Sequence, residues 1–177
     1  MILISASTEQ HRREAPDNVA CLILTVSDTR TPDTDKSGQL IEQLLGERGY
    51  RVVDRRIVAD EYALIAQLLD EAAADPAVEA VLLNGGTGIA ARDTTYEAVR
   101  DRLDKEMPGF GEIFRYLSFT EDIGSAAILS RAIAGTIGST AVFSMPGSTG
   151  AVKLAMTRII VPELGHVMRE IYKDRRA

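Results

Sequence analysis

Val78-Glu-Ala-Val-Leu-Leu-Asn-Gly-Gly-Thr-Gly88 is the stretch on which the fold turns. Its first six residues make a short apolar run, the pattern of a strand buried on both faces of a parallel sheet. The run passes directly into Gly85-Gly86-Thr87-Gly88, where the backbone can turn tightly and expose N–H groups. Thr94–Leu103 then reads as a helix opening on the capping box Thr94-x-x-Glu97. This is strand, glycine loop and helix in succession. Outward from it the same alternation repeats. Ala20-Cys-Leu-Ile-Leu-Thr-Val26 is a second continuous apolar run, followed by a turn-rich loop and a helix over Ser37–Arg48 that Gly49 stops. Tyr50–Val58 is a strand, and Asp60–Ala74 a helix with Leu64, Ile65, Leu68 and Leu69 on one face. Downstream, Gly109–Leu117 and a short segment in Ile123–Ala132 read as helical. Ala132–Ile137 and Thr140–Met145 read as short strands around Gly138-Ser139, either a hairpin or a mixed-sheet edge. Ser148–Ile160 and Pro162–Lys173 are the last two helices, with Pro162 suited to a first turn. Strands alternating with helices of this length predict an α/β protein. The expected architecture is three layers: an open, mostly parallel, mixed sheet with helices on both faces.

The 177 residues suit one domain, with residues 1–18 as a flexible N-terminal tail and 19–177 as the folded unit. A single cysteine, Cys21, excludes an internal disulfide and a cysteine-built metal site. That usage fits a reducing, cytoplasmic setting. No segment has the roughly 18–20 apolar residues of a membrane span, and Met1-Ile-Leu-Ile is too short for a signal-peptide core. A net charge of −6 argues against nucleic acid as partner, since phosphate neutralisation needs a basic surface. The basic groups Arg48/Arg51/Arg55/Arg56 and Lys173/Arg175/Arg176 read as solvated faces. Two histidines and no tryptophan supply little for imidazole-metal or cage chemistry.

In open sheets of this type ligands bind beyond the carboxyl ends of the strands. Three loops fall there: Ser27–Lys36, Asn84–Asp93 and Pro146–Gly150. The glycine segment admits two readings on its own, an anion cradle of backbone N–H groups or a tight turn. Gly86-x-Gly88-x-x-Ala91 also satisfies a dinucleotide fingerprint, but it follows the third strand and lacks a strand-ending acid at the right distance. The Walker pattern fails, because no Gly-Lys-Ser/Thr is present. Asp93 closes the loop, and with Thr94 as cap its carboxylate is spare. Asp60 follows the second strand and could cap the next helix. Two such carboxylates at neighbouring strand ends can share a Mg2+ that also contacts substrate phosphates. Ser27-Asp28 ends the first strand as a polar turn, Ser148 is a sufficient N-cap, and Asp33/Asp35 serve their turn.

Thr25-Val-Ser-Asp28, Asp35-x-Ser-Gly38, Gly85-Gly-Thr-Gly88 with Arg92-Asp93, Pro108-Gly-Phe-Gly-Glu112 and Met145-Pro-Gly-Ser148 occur in this order. The ordered set resembles the MoaB/MogA-type molybdopterin-binding family, related to the G domains of gephyrin and of a plant protein. Met145-Pro-Gly-Ser-Thr149 and Arg115-x-Leu-Ser-Phe119 resemble its bacterial MoaB branch. The resemblance runs from about Val19 to Ile171 and implies the molybdopterin-binding fold. It implies molybdenum cofactor biosynthesis by transfer of AMP from Mg-ATP to molybdopterin, or, alternatively, a non-catalytic molybdopterin-binding or carrier protein. By resemblance, Asp60 and Asp93 are the functional and Mg2+-binding aspartates. Ligand binding would fall to Thr25, Ser27, Asp28, Gly85, Gly86, Thr87, Gly88, Ser118, Pro146, Gly147 and Ser148. It further implies a homo-oligomer, a trimer or a hexamer, and other molybdenum cofactor biosynthesis proteins as partners. The apolar Met107–Phe119 segment adds to that expectation. One departure stands out: relatives often carry Lys where this chain has Gly150. If Gly86 serves close backbone approach, Gly86→Ala is expected to weaken molybdopterin binding more than about tenfold, with a smaller change in stability.

Overall fold

The computed structural model describes residues 6–173. Met1-Ile-Leu-Ile and the basic residues Arg175 and Arg176 lie outside the described residues. Among those described, six strands form one sheet in the order β2-β1-β3-β6-β5-β4. They are β1 (Ala20–Val26), β2 (Arg51–Val58), β3 (Ala80–Asn84), β4 (Lys105–Glu106), β5 (Ile133–Ile137) and β6 (Thr140–Met145). β1 pairs in parallel with β2 and β3, and β3 with β6. β5 and β4 add antiparallel strands at the far edge, which makes the sheet mixed.

The continuous apolar runs have the physical cause expected of them. Every residue of β1, β3 and β6 is buried, because helices cover both faces. On one side Cys21, Ile23, Leu82 and Phe143 pack with Ile41, Leu45, Phe114 and Met156. These partners come from α2 (Lys36–Arg48), α5 (Pro108–Glu121) and a C-terminal helical segment. On the other side Leu22, Leu24, Val81 and Val142 meet Ile65, Leu69 and Val99 of α3 (Tyr62–Ala74) and α4 (Thr95–Arg100). Burying each such side chain contributes about 1.5–3 kcal/mol, so the two cores supply most of the driving force.

Four local expectations are corrected. The segment read as a loose tail carries α1 (Ala6–Arg13), and Arg169 of the last helix pairs with Glu14 just beyond it. The proposed capping box does not form. Thr94 occupies the N-cap position of α4 without a side-chain cap bond, and Glu97 turns to Arg131. Asp60 does not cap α3, whose N-cap is Glu61. The last two helices are one helical path: α6 (Thr149–Ala155) runs through a π-turn at Met156–Ile160 into α7 (Val161–Tyr172), with αR backbone at each join. The short helical segment expected within Ile123–Ala132 is a 3-10 turn at Gly124–Leu129.

The chain leaves β1 for β2 on one side and later returns to place β3 on the other. The switch point therefore lies between the carboxyl ends of β1 and β3, the place where open α/β sheets bind their ligands.

Candidate functional site

Both strands flanking the switch point end in polar side chains. Thr25 and Asn84 are fully buried neighbours in register, and Asn84 Nδ2 donates to Thr25 Oγ1 at 2.9 Å. Gly85 N–H then reaches across to Met145 O at 3.0 Å, which ties the start of the glycine loop to β6. Gly85 and Gly86 have φ of +99° and +66°, values that an L side chain resists. Space is also short. A Cβ on Gly86 would overlap Thr95 Oγ1 and stand 2.8 Å from Asp60 Oδ2, and one on Gly88 would stand 2.9 Å from Asp93 Cγ. These glycines are thus required by the protein's own packing, which revises the expectation for Gly86→Ala: its first effect falls on the fold.

Asp60 and Asp93 therefore each touch a glycine of the same loop. Asp60 Oδ1 accepts from Thr94 N–H (3.1 Å), Thr94 Oγ1 (2.9 Å) and Thr95 Oγ1 (3.2 Å). Thr94 is thereby drawn away from capping, and Asp60 ties β2 to the start of α4. Asp93 accepts Ala90 N–H at 2.9 Å within the loop. Asp28 joins the group, since its Oδ1 accepts the Asp60 N–H at 3.3 Å and its Oδ2 pairs with Arg92. Among the described residues no three His, Cys, Asp or Glu side chains cluster as a protein-only metal cage. Mg2+ does not ask for one. It is held by one or two carboxylates, with waters and substrate phosphates completing the octahedron. Asp60 and Asp93, set against glycines two residues apart, fit that requirement.

The Pro146-Gly147-Ser148 loop is fixed differently. Gly147 O accepts from Arg30 Nη2 at 3.0 Å and from Ser37 Oγ at 2.8 Å. Ser148 caps α6 by accepting Ala151 N–H at 3.2 Å, as its sequence position predicts. A Cβ on Gly147 would lie 3.0 Å from Gly85 Cα, so the two glycine-bearing loops touch. A Cβ on Gly150 would stand 3.5 Å from the Asp122 carboxylate, so an acid faces this position. Ser27 Oγ takes the N–H groups of Thr29 and Arg30 at 3.3 and 3.1 Å and shapes the loop after β1. Ser118 lies on the buried face of α5, where no described hydrogen bond joins it to these loops.

Three residues matter here that sequence reasoning passed over. Asp35, read as a turn residue, is completely buried and accepts from Thr25 Oγ1 (2.8 Å) and Gly38 N–H (2.9 Å) while pairing with Arg55 (3.2 Å). Arg30 bridges it to the Pro-Gly-Ser loop, at 3.6 Å from Asp35. Arg131 lies against the glycine loop from the segment before β5. The Asp-x-Ser-Gly spacing could have flagged Asp35 as a helix cap, but nothing local points to Arg30 or Arg131. Cys21 sits in the core, where burial pushes its thiol up to about 12, far from a thiolate nucleophile at neutral pH.

Fold and site define a class: an open α/β sheet protein whose polar and glycine-rich loops gather at one sheet edge, over a switch point. Comparison with known proteins gives the family. Residues 22–166 match the family described as probable molybdopterin binding domain, and the chain belongs to it. Molybdenum cofactor biosynthesis protein B of Halalkalibacterium halodurans is 72% identical over 169 residues, spanning 96% of this chain and 99% of that one. The protein of that name from Bacillus subtilis is 58% identical over the same share of each. Among solved structures, a molybdenum cofactor biosynthesis protein B superposes with a TM-score of 0.87 at 56% identity, covering 90% of this chain and 99% of that one. The tungsten cofactor synthesizing protein MoaB from Pyrococcus furiosus gives 0.78 at 36% identity, covering 89% and 99%. Among the described residues no helix is long and apolar enough to cross a membrane.

Proposed function

We propose that this chain is a molybdenum cofactor biosynthesis protein that binds molybdopterin at the glycine loop and transfers AMP to it from Mg-ATP. The observation that carries the reading is the placement of Asp60 and Asp93, each packed against a different glycine of one loop at the switch point. In the reaction, an oxygen of molybdopterin's phosphate attacks the α-phosphorus of ATP. The bond from that phosphorus to the α–β bridging oxygen breaks, and pyrophosphate leaves with the electron pair. The substrate is its own nucleophile, so the buried Cys21 is no loss. Mg2+ would neutralise charge on the phosphates, with Asp60 and Asp93 as its protein ligands. This chain's other residues position and exclude. The loop offers N–H groups, Thr94 and Thr95 aim Asp60, and Arg30 and Ser37 fix the opposing Pro-Gly-Ser loop. Preorganised groups of this sort supply catalysis by orientation and electrostatics.

Incubation with molybdopterin and Mg-ATP tests the proposal: adenylyl-molybdopterin and pyrophosphate are the expected products. Tight molybdopterin binding without either product would support the second reading, a non-catalytic carrier. Gly150 favours that reading, because the position brings no cation and faces Asp122. The proposal includes a cytoplasmic setting and a homo-oligomer, trimer or hexamer. α5 and the turn after it expose Ile113, Tyr116, Phe119, Ile123, Ile128 and Leu129, which a second copy could cover. Light scattering should give a multiple of 19.2 kDa, and a monomer at micromolar concentration would remove the oligomer.

A further inference from the structure

Arg131 meets both the glycine loop and α4 through its guanidinium. Nε donates to Thr87 O at 3.3 Å, and Nη2 to Gly88 O. Nη1 pairs with Glu97, and the plane lies over the Tyr96 ring with 4.9 Å to its centroid. Glu97 and Tyr96 belong to the same short helix that begins beneath the loop, so the guanidinium joins loop, α4 and the approach to β5.

The two accepting carbonyls have a geometric consequence. No peptide among the described residues is cis, and in a trans peptide the carbonyl of one residue points opposite to the N–H of the next. Drawing the carbonyls of Thr87 and Gly88 towards Arg131 turns the N–H groups of Gly88 and Ile89 to the opposite flank. Neither N–H has a hydrogen-bond partner among the described residues, whereas the next one, of Ala90, is taken by Asp93. Two successive free N–H groups on one flank form a concavity that attracts an oxyanion.

We infer that Arg131 is a positioning residue: by holding the carbonyls of Thr87 and Gly88 it aims the N–H groups of Gly88 and Ile89 at a phosphate oxygen of the ligand. The inference rests on the reading of this loop as the ligand loop, but not on adenylyl transfer. A lysine could not replace the arginine, since one ammonium cannot present a planar fork to two carbonyls and a carboxylate together.

Titration of 15N-labelled protein with inorganic pyrophosphate at fixed Mg2+ reads the site directly. The amide signals of Gly88 and Ile89 should move in the parent. Arg131→Ala should weaken pyrophosphate binding at least tenfold, and Arg131→Lys should fall between the two. Glu97→Gln separates aiming from anchoring, because it removes the ion pair and leaves both carbonyl contacts. It should bind within threefold of the parent. Parent amides that stay still at Gly88 and Ile89 would overturn the inference. So would Arg131→Lys binding as tightly as the parent, or Glu97→Gln losing as much as Arg131→Lys. Should Arg131→Ala not fold, Arg131→Lys and Glu97→Gln still decide. If these amides respond while no adenylyl-molybdopterin forms, the positioning role stands and the catalytic reading falls.

Discussion

The two loops that touch at Gly85 and Gly147 are held by opposite means. The glycine loop is gripped by side chains from its own helix and from afar, and it keeps N–H groups free. The Pro-Gly-Ser loop is gripped through one carbonyl by Arg30 and Ser37, while Ser148 uses its hydroxyl on its own helix. The first also carries two left-handed glycines and the Asp93 carboxylate, and the second carries no charge of its own. Left-handed glycines and unspent donors concentrate in the first loop, and satisfied bonds in the second. Chemistry should therefore respond steeply to changes in the glycine loop and shallowly to changes in the other.

Asp93→Asn should give the largest effect. Its carboxamide keeps an oxygen for Ala90 N–H, so the loop survives while the charge is lost. Adenylyl transfer measured at saturating Mg-ATP should fall by roughly 10²–10³, the usual cost of one preorganised electrostatic group. Activity within threefold of the parent would erase the contrast between the loops. Gly86→Ala comes next and acts on stability. With φ at +66° and Thr95 in the way, it should destabilise the ligand-free protein by at least about 1–2 kcal/mol, visible as a lower Tm. Ser37→Ala removes one of two donors to Gly147 O. A cost of about 0.5–1.5 kcal/mol in denaturant unfolding, with turnover nearly unchanged, would show that the second loop is scaffold. The smallest effect concerns acid. The Arg131 hydrogen bond holds the Glu97 carboxyl below its ordinary value of 4.5. A depressed carboxylate contributes stability that is present above the ordinary value and lost as pH falls through the folded one. Protection of the loop amides, once the intrinsic pH dependence of exchange is removed, should thus show no Glu97-dependent step between pH 5 and 8 and should fall only below about pH 4.5.

The central strands were legible because burial on both faces leaves uninterrupted apolar runs, and a strand ending in glycines leaves a visible break, whereas the exposed two-residue β4 left no such run. The two short strands around Gly138-Ser139 were legible for the same local reasons. What escaped was set by distance. Thr94-x-x-Glu97 is a sound capping box in isolation, yet Asp60 claims the threonine and Arg131 claims the glutamate, from 34 residues away on either side. Asp35 looked like one of several turn acids, until burial beside Thr25 and Arg55 set it apart. The family motifs marked Asp60 and Asp93 without saying what else they touch.

The π-turn at Met156–Ile160 has a bearing on how this chain can change length. Along the joined helices one row of buried positions falls at Val152, Met156, Ile160, Leu164 and Met168, every fourth residue. An unbroken α-helix turns about 100° per residue, so a fourfold repeat would drift by about 40° at each step and leave the core. The wider turn absorbs that drift with one surplus residue. Deleting the exposed Thr157 would leave spacings of four, three, four and four residues, a total drift of about 60°, so a regular α-helix would keep Leu164 and Met168 on the core side. A single-codon deletion should therefore be borne better at this turn than elsewhere in the joined helices.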